Sequence, residues 1–214
     1  MGTRTERGRS GGRWKGSGWA LAGFGAAVVG AAVAGSLFTP RGGRTRAWYD
    51  ALDKPSFTPP KWAFPVAWTA LYTMIAASGY RVWRGPDSPA RSRALALWRA
   101  QLGLNAAWTP LFFGAKNPEV ALGDIGLLLP AIAAYANEAR KVDAAAGWLM
   151  APYLGWVGFA TALNTGIVRR NPHGLPRAWR EALLVAPDDD VLDQTEAPED
   201  GPLPAAGGTA RSAA

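Results

Sequence analysis

The sequence predicts an all-α fold, a polytopic membrane protein built as a bundle of five transmembrane helices. Three observations predict it. Five apolar runs of 19 to 22 residues recur along the 214-residue chain, and each can cross a hydrocarbon core of about 30 Å. Eleven tryptophans suit membrane interfaces and pockets for flat apolar groups, because indole is apolar with one N–H to satisfy. The basic residues fall between the apolar runs, as in the loops of membrane proteins.

Residues 1–17 are Gly- and Arg-rich with five basic side chains and read as a disordered arm. The first run, 18–38, is uncharged and exceeds the 7–15 apolar residues of a signal peptide. It is therefore expected to be a retained helix, with Gly23, Ala27, Gly30 and Ala34 as a small-residue packing stripe. A loop with three prolines and three aromatics follows, Trp48-Tyr49-x-x-Leu52-x-Lys54-Pro55-x-Phe57-x-Pro59-Pro60. Its prolines restrict φ, so it is expected to form a stiff lid over the bundle.

The second run, 62–80, has no formal charge and ends at Arg81. The third, 94–114, carries Arg99 near its start, within reach of headgroups. The fourth, 118–136, contains Asp124 and Pro130, and the fifth, 147–168, stops at Arg169-Arg170-Asn171-Pro172. Short links make the third, fourth and fifth helices antiparallel neighbours. Residues 18–171 thus read as the membrane domain and 172–214 as a disordered acidic tail, too poor in apolar residues to fold alone.

Composition excludes several functions. Without cysteine there is neither disulfide nor thiolate metal site, and the lone His173 in a Pro-Gly segment is no metal centre. Residues 1–180 hold 22 Lys/Arg against 8 Asp/Glu, whereas residues 181–214 hold one Arg and 8 acids. That basic surplus lies in loops, so nucleic acid is not expected as a partner. The positive-inside rule is undecided, with ten Lys/Arg in one set of loops and twelve in the other. No Ser/His/Asp set, Cys/His pair or metal cluster is present, so no catalytic residues are assigned.

Polar and aromatic residues at helical spacing mark a candidate pocket, because isolated polar groups are costly in lipid. Gln101, Asn105, Trp108 and Phe112 form one stripe and Trp156, Ala160 and Asn164 another. Trp68 and Tyr72 share a face with Phe64 and Ile75. A few amides among tryptophans describe a flat, mostly apolar cavity with few anchors. Aromatic stripes also serve ordinary helix packing, and buried Asn also serves as interhelical glue. Asp124 is expected to cap or brace a neighbouring helix.

Three blocks, in order, carry a family resemblance. They are Trp48-Tyr49-x-x-Leu52-x-Lys54-Pro55-x-Phe57-x-Pro59-Pro60-x-Trp62-x-Phe64-x-x-Trp68-x-x-Leu71-Tyr72, then Gln101-Leu102-x-Leu104-Asn105-x-x-Trp108-x-x-Leu111-Phe112-Phe113-Gly114, and Pro152-Tyr153-Leu154-x-Trp156-Val157-x-Phe159-Ala160-Thr161-x-Leu163-Asn164. Over residues 48–171 the chain resembles the tryptophan-rich sensory protein or translocator protein (TspO/MBR) family, also known as peripheral benzodiazepine receptors. The resemblance implies a five-helix membrane protein, usually a homodimer, that binds porphyrin or haem and other flat ligands beneath the first loop. The resemblance further implies a receptor, sensor or carrier for which no cofactor is expected.

By position, the resemblance implies Tyr49, Trp68, Asn105, Trp108, Trp156 and Ala160 as ligand-binding residues. Trp48, Tyr72, Phe112, Asn164 and Asp124 are further candidates. An alternative function is light- and oxygen-dependent porphyrin degradation using Trp68 and Trp156. One departure counts against sterol binding: Thr165-Gly166 follows Leu163-Asn164 where the family's sterol stretch has tyrosine. Leu129-x5-Tyr135-x4-Arg140 matches that loose pattern only formally.

Overall fold

The computed structural model describes residues 14–39 and 43–185. Among them there are five long helices, three short ones and no strand: α1 Trp14–Ser36, α2 Gly43–Ala51, α3 Ala63–Arg84, α4 Pro89–Thr109, α5 Pro118–Val142, α6 Ala144–Trp148, α7 Ala151–Arg170 and α8 Arg177–Val185. The five long ones are the expected helices, and side-chain caps set the starts of two of them. α4 starts at Pro89, five residues before its apolar run, because the Ser88 hydroxyl accepts the Arg91 N–H at 3.1 Å. Ser-Pro at this point is a standard helix start. Likewise, Asn117 caps α5 through the Val120 N–H at 3.0 Å.

α4, α5 and α7 pack side by side, and α3 closes the bundle against α4, α6 and α5. A buried hydroxyl network joins three elements. Ser78 donates to the Ala146 carbonyl at 2.7 Å and meets the Tyr135 hydroxyl at 2.7 Å. Trp98 spends its indole N–H on the Ile75 carbonyl at 2.9 Å, tying α4 to α3. These bonds satisfy polar groups that would otherwise be stranded among apolar neighbours.

α1 lies on α3 and α4, but not through the small-residue stripe. Gly23, Ala27, Gly30 and Ala34 are all exposed. The packed face is Phe24, Val28, Ala31 and Gly35, at i, i+4, i+7 and i+11. The reason is a single fit: Phe24 meets Trp98 edge-on, ring centroids 4.9 Å apart, above Gly79. A Cβ on Gly79 would stand 2.6 Å from Trp98 Nε1 and 2.8 Å from Phe24 Cδ1, so α3 must be bare there. Composition could not show this, because nearly every face of α1 is Ala, Gly or Val.

The lid differs from a plain connector in having its own helix, α2. At the other end of the chain, the expected tail from residue 172 begins with a 3₁₀ turn, Pro172–Gly174, and contains α8. Residues 1–13, most of the expected basic arm, and 186–214, most of the expected acidic tail, lie outside the described residues.

Candidate functional site

Two adjoining groups of rings make the candidate site. The first belongs to α3 and α7. Trp68 stands 5.1 Å from Tyr72, 6.2 Å from Tyr153 and 6.4 Å from Trp156, centroid to centroid. Trp156 in turn meets Phe64 at 5.9 Å and Phe159 at 5.8 Å, and Phe159 meets Phe57 of the lid at 6.2 Å. Most of these contacts are edge-to-face, the arrangement favoured by ring quadrupoles. Trp68, Trp156 and Ala160 are half-buried, so this wall keeps an open side.

The second group sits under the lid. Trp108 stacks on Phe112 at 4.9 Å, and Phe113 closes on Phe112 at 4.8 Å. Three rings within six residues converge because the helix widens to a π-helical turn at Pro110–Gly114, where the Ala115 N–H reaches the Pro110 carbonyl at 2.8 Å. Pro110 has no N–H to continue the α pattern, and π-turns recur at functional sites. Tyr49 lies 5.4 Å from Phe113, and Trp48 lies 5.8 Å from Phe112.

Asn105 links the two groups: its Oδ1 accepts the Tyr72 hydroxyl at 3.0 Å. Around it, hydrogen-bonding capacity is unspent. Trp108 Nε1, the Tyr153 hydroxyl and Asp124 Oδ2 are buried without a partner. Buried polar atoms are normally paired, so the open Tyr153 hydroxyl beside Trp68 and the open Trp108 Nε1 beside Phe112 mark places for a polar edge of something else. The expected brace at Asp124 is not made; Asn164 does that work. With its amide turned to satisfy both groups, Asn164 donates to the Pro118 carbonyl at 3.2 Å and accepts the Leu122 N–H at 3.1 Å. Asn164 therefore holds α5 to α7 rather than lining the wall.

The lid is fastened by Trp48 and Pro55 of the expected loop against Gly166, Asn171 and Gly174, to which no role was assigned from the sequence. Asn171 accepts the Asp53 N–H at 3.0 Å and donates to the Asp53 and Ile167 carbonyls, both at 2.9 Å. Its amide thus pairs with the lid backbone as another strand would. Trp48, 2 % exposed, donates to the Gly174 carbonyl at 2.9 Å. Gly174 adopts φ +68°, and a Cβ there would stand 2.7 Å from the Lys116 carbonyl, so only glycine fits this turn. Pro55 presses on Gly166, where a Cβ would come 2.5 Å from its Cγ. The Asn171-Pro172 pair is a turn signal, and it was the only hint of this latch.

Charge on the lid is organised around Asp50. Lys61 reaches it at 3.2 Å and Arg46 at 3.4 Å. The Lys61 hydrogen bond, with help from Arg46, holds the Asp50 carboxyl below the usual carboxylate range. Burial, with the Asp50 charge beside it, pushes the Tyr49 phenol up. Tyr49 therefore stays a neutral donor, with Lys54 Nζ 4.7 Å above its ring. Burial pulls the Lys54 ammonium down, against the opposing pull of Asp50. His173, the lone imidazole, contributes its backbone, donating to Glu119 Oε1 at 2.9 Å. Tyr135 is fully buried with its hydroxyl on Ser78, so the formal Leu129–Tyr135–Arg140 sterol pattern has no tyrosine to offer.

The sequence profile described as the TspO/MBR family matches residues 24–170. The tryptophan-rich sensory protein of Cereibacter sphaeroides is 41 % identical over 124 residues, covering 58 % of this chain and 77 % of that protein. The translocator protein of Homo sapiens is 39 % identical over 140 residues, 64 % of this chain and 80 % of its own. Protein CrtK of Rhodobacter capsulatus is 39 % identical over 133 residues, 61 % and 82 % respectively.

Proposed function

The chain belongs to the TspO/MBR family of integral membrane proteins, and on that premise we propose that it is a membrane receptor or carrier for tetrapyrroles. The observation that supports this reading best is that buried polar atoms stay unspent beside both ring groups, the Tyr153 hydroxyl next to Trp68 and Trp108 Nε1 next to Phe112. A porphyrin or haem is a flat apolar disc with polar edges. Such a disc slides between half-buried rings, gaining stacking area, while its polar edge meets Asn105 and the open donors and acceptor. The basic lid residues Arg46, Lys54 and Lys61 meet propionates through charge-assisted bonds. A homodimer belongs to the same proposal.

Quenching of tryptophan fluorescence by protoporphyrin tests the reading. Purified protein should quench saturably. Trp156→Ala removes one face of the wall and should weaken binding by tenfold or more, in line with the ~1–3 kcal/mol of a base-sized stacking contact. Wild-type affinity in that variant would remove Trp156 from the site, and absence of saturation would end the proposal.

A second reading has one favouring observation, the Trp68–Trp156 edge contact at 6.4 Å. A photoexcited porphyrin can take an electron from an adjacent indole and pass it to dioxygen. The indole radical then takes an electron back from the porphyrin, and the superoxide formed adds to the oxidised macrocycle, so that porphyrin plus dioxygen gives the oxygenated ring. On this reading, illumination of the complex in air bleaches the porphyrin's visible bands beyond a no-protein control. Equal bleaching in Trp68→Phe/Trp156→Phe would sink it.

A further inference from the structure

At the end of the bundle away from the lid, a groove of about 180 Å³ opens between α5, α6 and α7. Its floor includes Ala133, Ala136 and Ala151, and its rim is Asn137, Arg140 and Trp148. Most of the other basic side chains that make charge contacts here do so with carboxylates, while Arg84 lies 5.8 Å from the Tyr80 ring centre. Arg81 holds Asp143 at 2.9 Å, Arg91 holds Asp87, and Arg93 and Lys141 share Glu138. Arg140 makes no ion pair among the described residues. Its Nη2 donates to Asn137 Oδ1 at 3.2 Å, and its guanidinium lies 5.8 Å from the Trp148 ring centre. Both partners are neutral, so the positive charge and most of its donors are left for another group.

The position of that guanidinium is built. A Cβ on Gly147 would overlap the Arg140 Cγ and stand 2.7 Å from the Ala136 carbonyl. Only glycine there lets the arginine stem lie against α6 and point its head over the groove. Trp148, 65 % exposed beside it, is the kind of ring found at the level where hydrocarbon meets headgroups. An apolar floor leading away from a cation at that level has a chemical complement of opposite polarity along its length.

We propose that this groove binds one anionic phospholipid, its phosphate on Arg140 and the upper part of one acyl chain on the alanine floor. The guanidinium fork matches phosphate oxygens, and basic pockets between spanning helices hold acidic headgroups. Phosphate alone leaves the alanine floor uncovered, so the intact lipid is the better fit.

The test is native mass spectrometry of the full chain released from vesicles of equal phosphatidylglycerol and phosphatidylcholine. Wild type should retain one phosphatidylglycerol in about fivefold preference, the increment expected of one basic residue at an anionic surface. Arg140→Gln should bring the two lipids to parity, while Arg93→Gln, whose partner is Glu138, should keep the preference. Ala133→Leu fills the groove from an exposed position and should lower retention of both lipids with Arg140 intact. Parity in wild type, a preference that survives Arg140→Gln, or full retention in Ala133→Leu would overturn the site. So would inorganic phosphate held in place of lipid.

Discussion

At the end away from the lid, α3, α5 and α6 are joined by Ser78, Tyr135 and the Ala146 carbonyl, with Arg81–Asp143 and Arg93–Glu138 on the rim. At the lid end the deep contacts are an amide, Asn171, on the backbone of Asp53, and an indole, Trp48, on the Gly174 carbonyl. The difference lies in what each contact exposes when broken. Opening the first end strands a hydroxyl network wedged between three helices, while opening the lid bares peptide groups that water can take over at once. One end is therefore built to stay shut. The other is built to reopen, and the unpartnered Trp108 indole stands in the ring group beneath it.

This contrast breaks most visibly at Gly79. Gly79→Val puts methyl groups where Phe24 and Trp98 already meet and should cost about 3 kcal/mol or more, since neither ring has room to turn. Thermal unfolding in detergent, followed by circular dichroism, checks it. The midpoint should fall by several degrees, while porphyrin affinity of the folded fraction stays that of wild type. An unchanged midpoint would mean that α1 is not seated by this contact.

Asn171→Ala sharpens the contrast from the other side. It removes three hydrogen bonds to the lid and to Ile167, worth together about 1–3 kcal/mol because the freed peptide groups can be hydrated. Stopped-flow release of bound protoporphyrin should speed up by roughly tenfold, with little change in the unfolding midpoint. A large fall in the midpoint at wild-type release rate would make Asn171 a structural brace and the lid a fixed roof.

What the sequence revealed follows the same division. The five long helices were legible because apolar length is a property of each run alone. Some of the ring contacts were legible as well: Trp68 meets Trp156 across α3 and α7, and Asn105 of α4 reaches Tyr72 of α3. The facing of α1 was not, since it depends on the absence of a side chain at Gly79, on a different helix. Asn171 was hidden for a related reason. Its partner, Asp53, lies 118 residues away, and no local period marks a side chain that pairs with a backbone. Asn164, read as pocket lining, proved to be the brace that Asp124 was expected to supply, because helical spacing ranks faces without saying which neighbour each face meets.

The smallest effect belongs to Asp50, on the outer surface of the lid. Its carboxyl is held below the usual range by Lys61 first and then Arg46. A depressed pKa means that whatever these pairs add to lid closure is fully present above the ordinary carboxylate pKa. It is lost only as pH falls through the lower, folded value. The group is exposed, so the contribution is screened and small. Release of a porphyrin diester, which has no carboxylate of its own, should therefore be constant from about pH 7 to about pH 5. Below the ordinary carboxylate range it should quicken, by less than about fivefold. Asp50→Asn should show the quicker rate at every pH, and moderate salt should move wild type part of the way towards it. If Asp50→Asn releases the diester as slowly as wild type throughout, the surface ion pairs hold nothing. Closure would then rest on the Asn171 amide and the Trp48 indole alone, which would make the lid still more dependent on its uncharged contacts than the geometry already suggests.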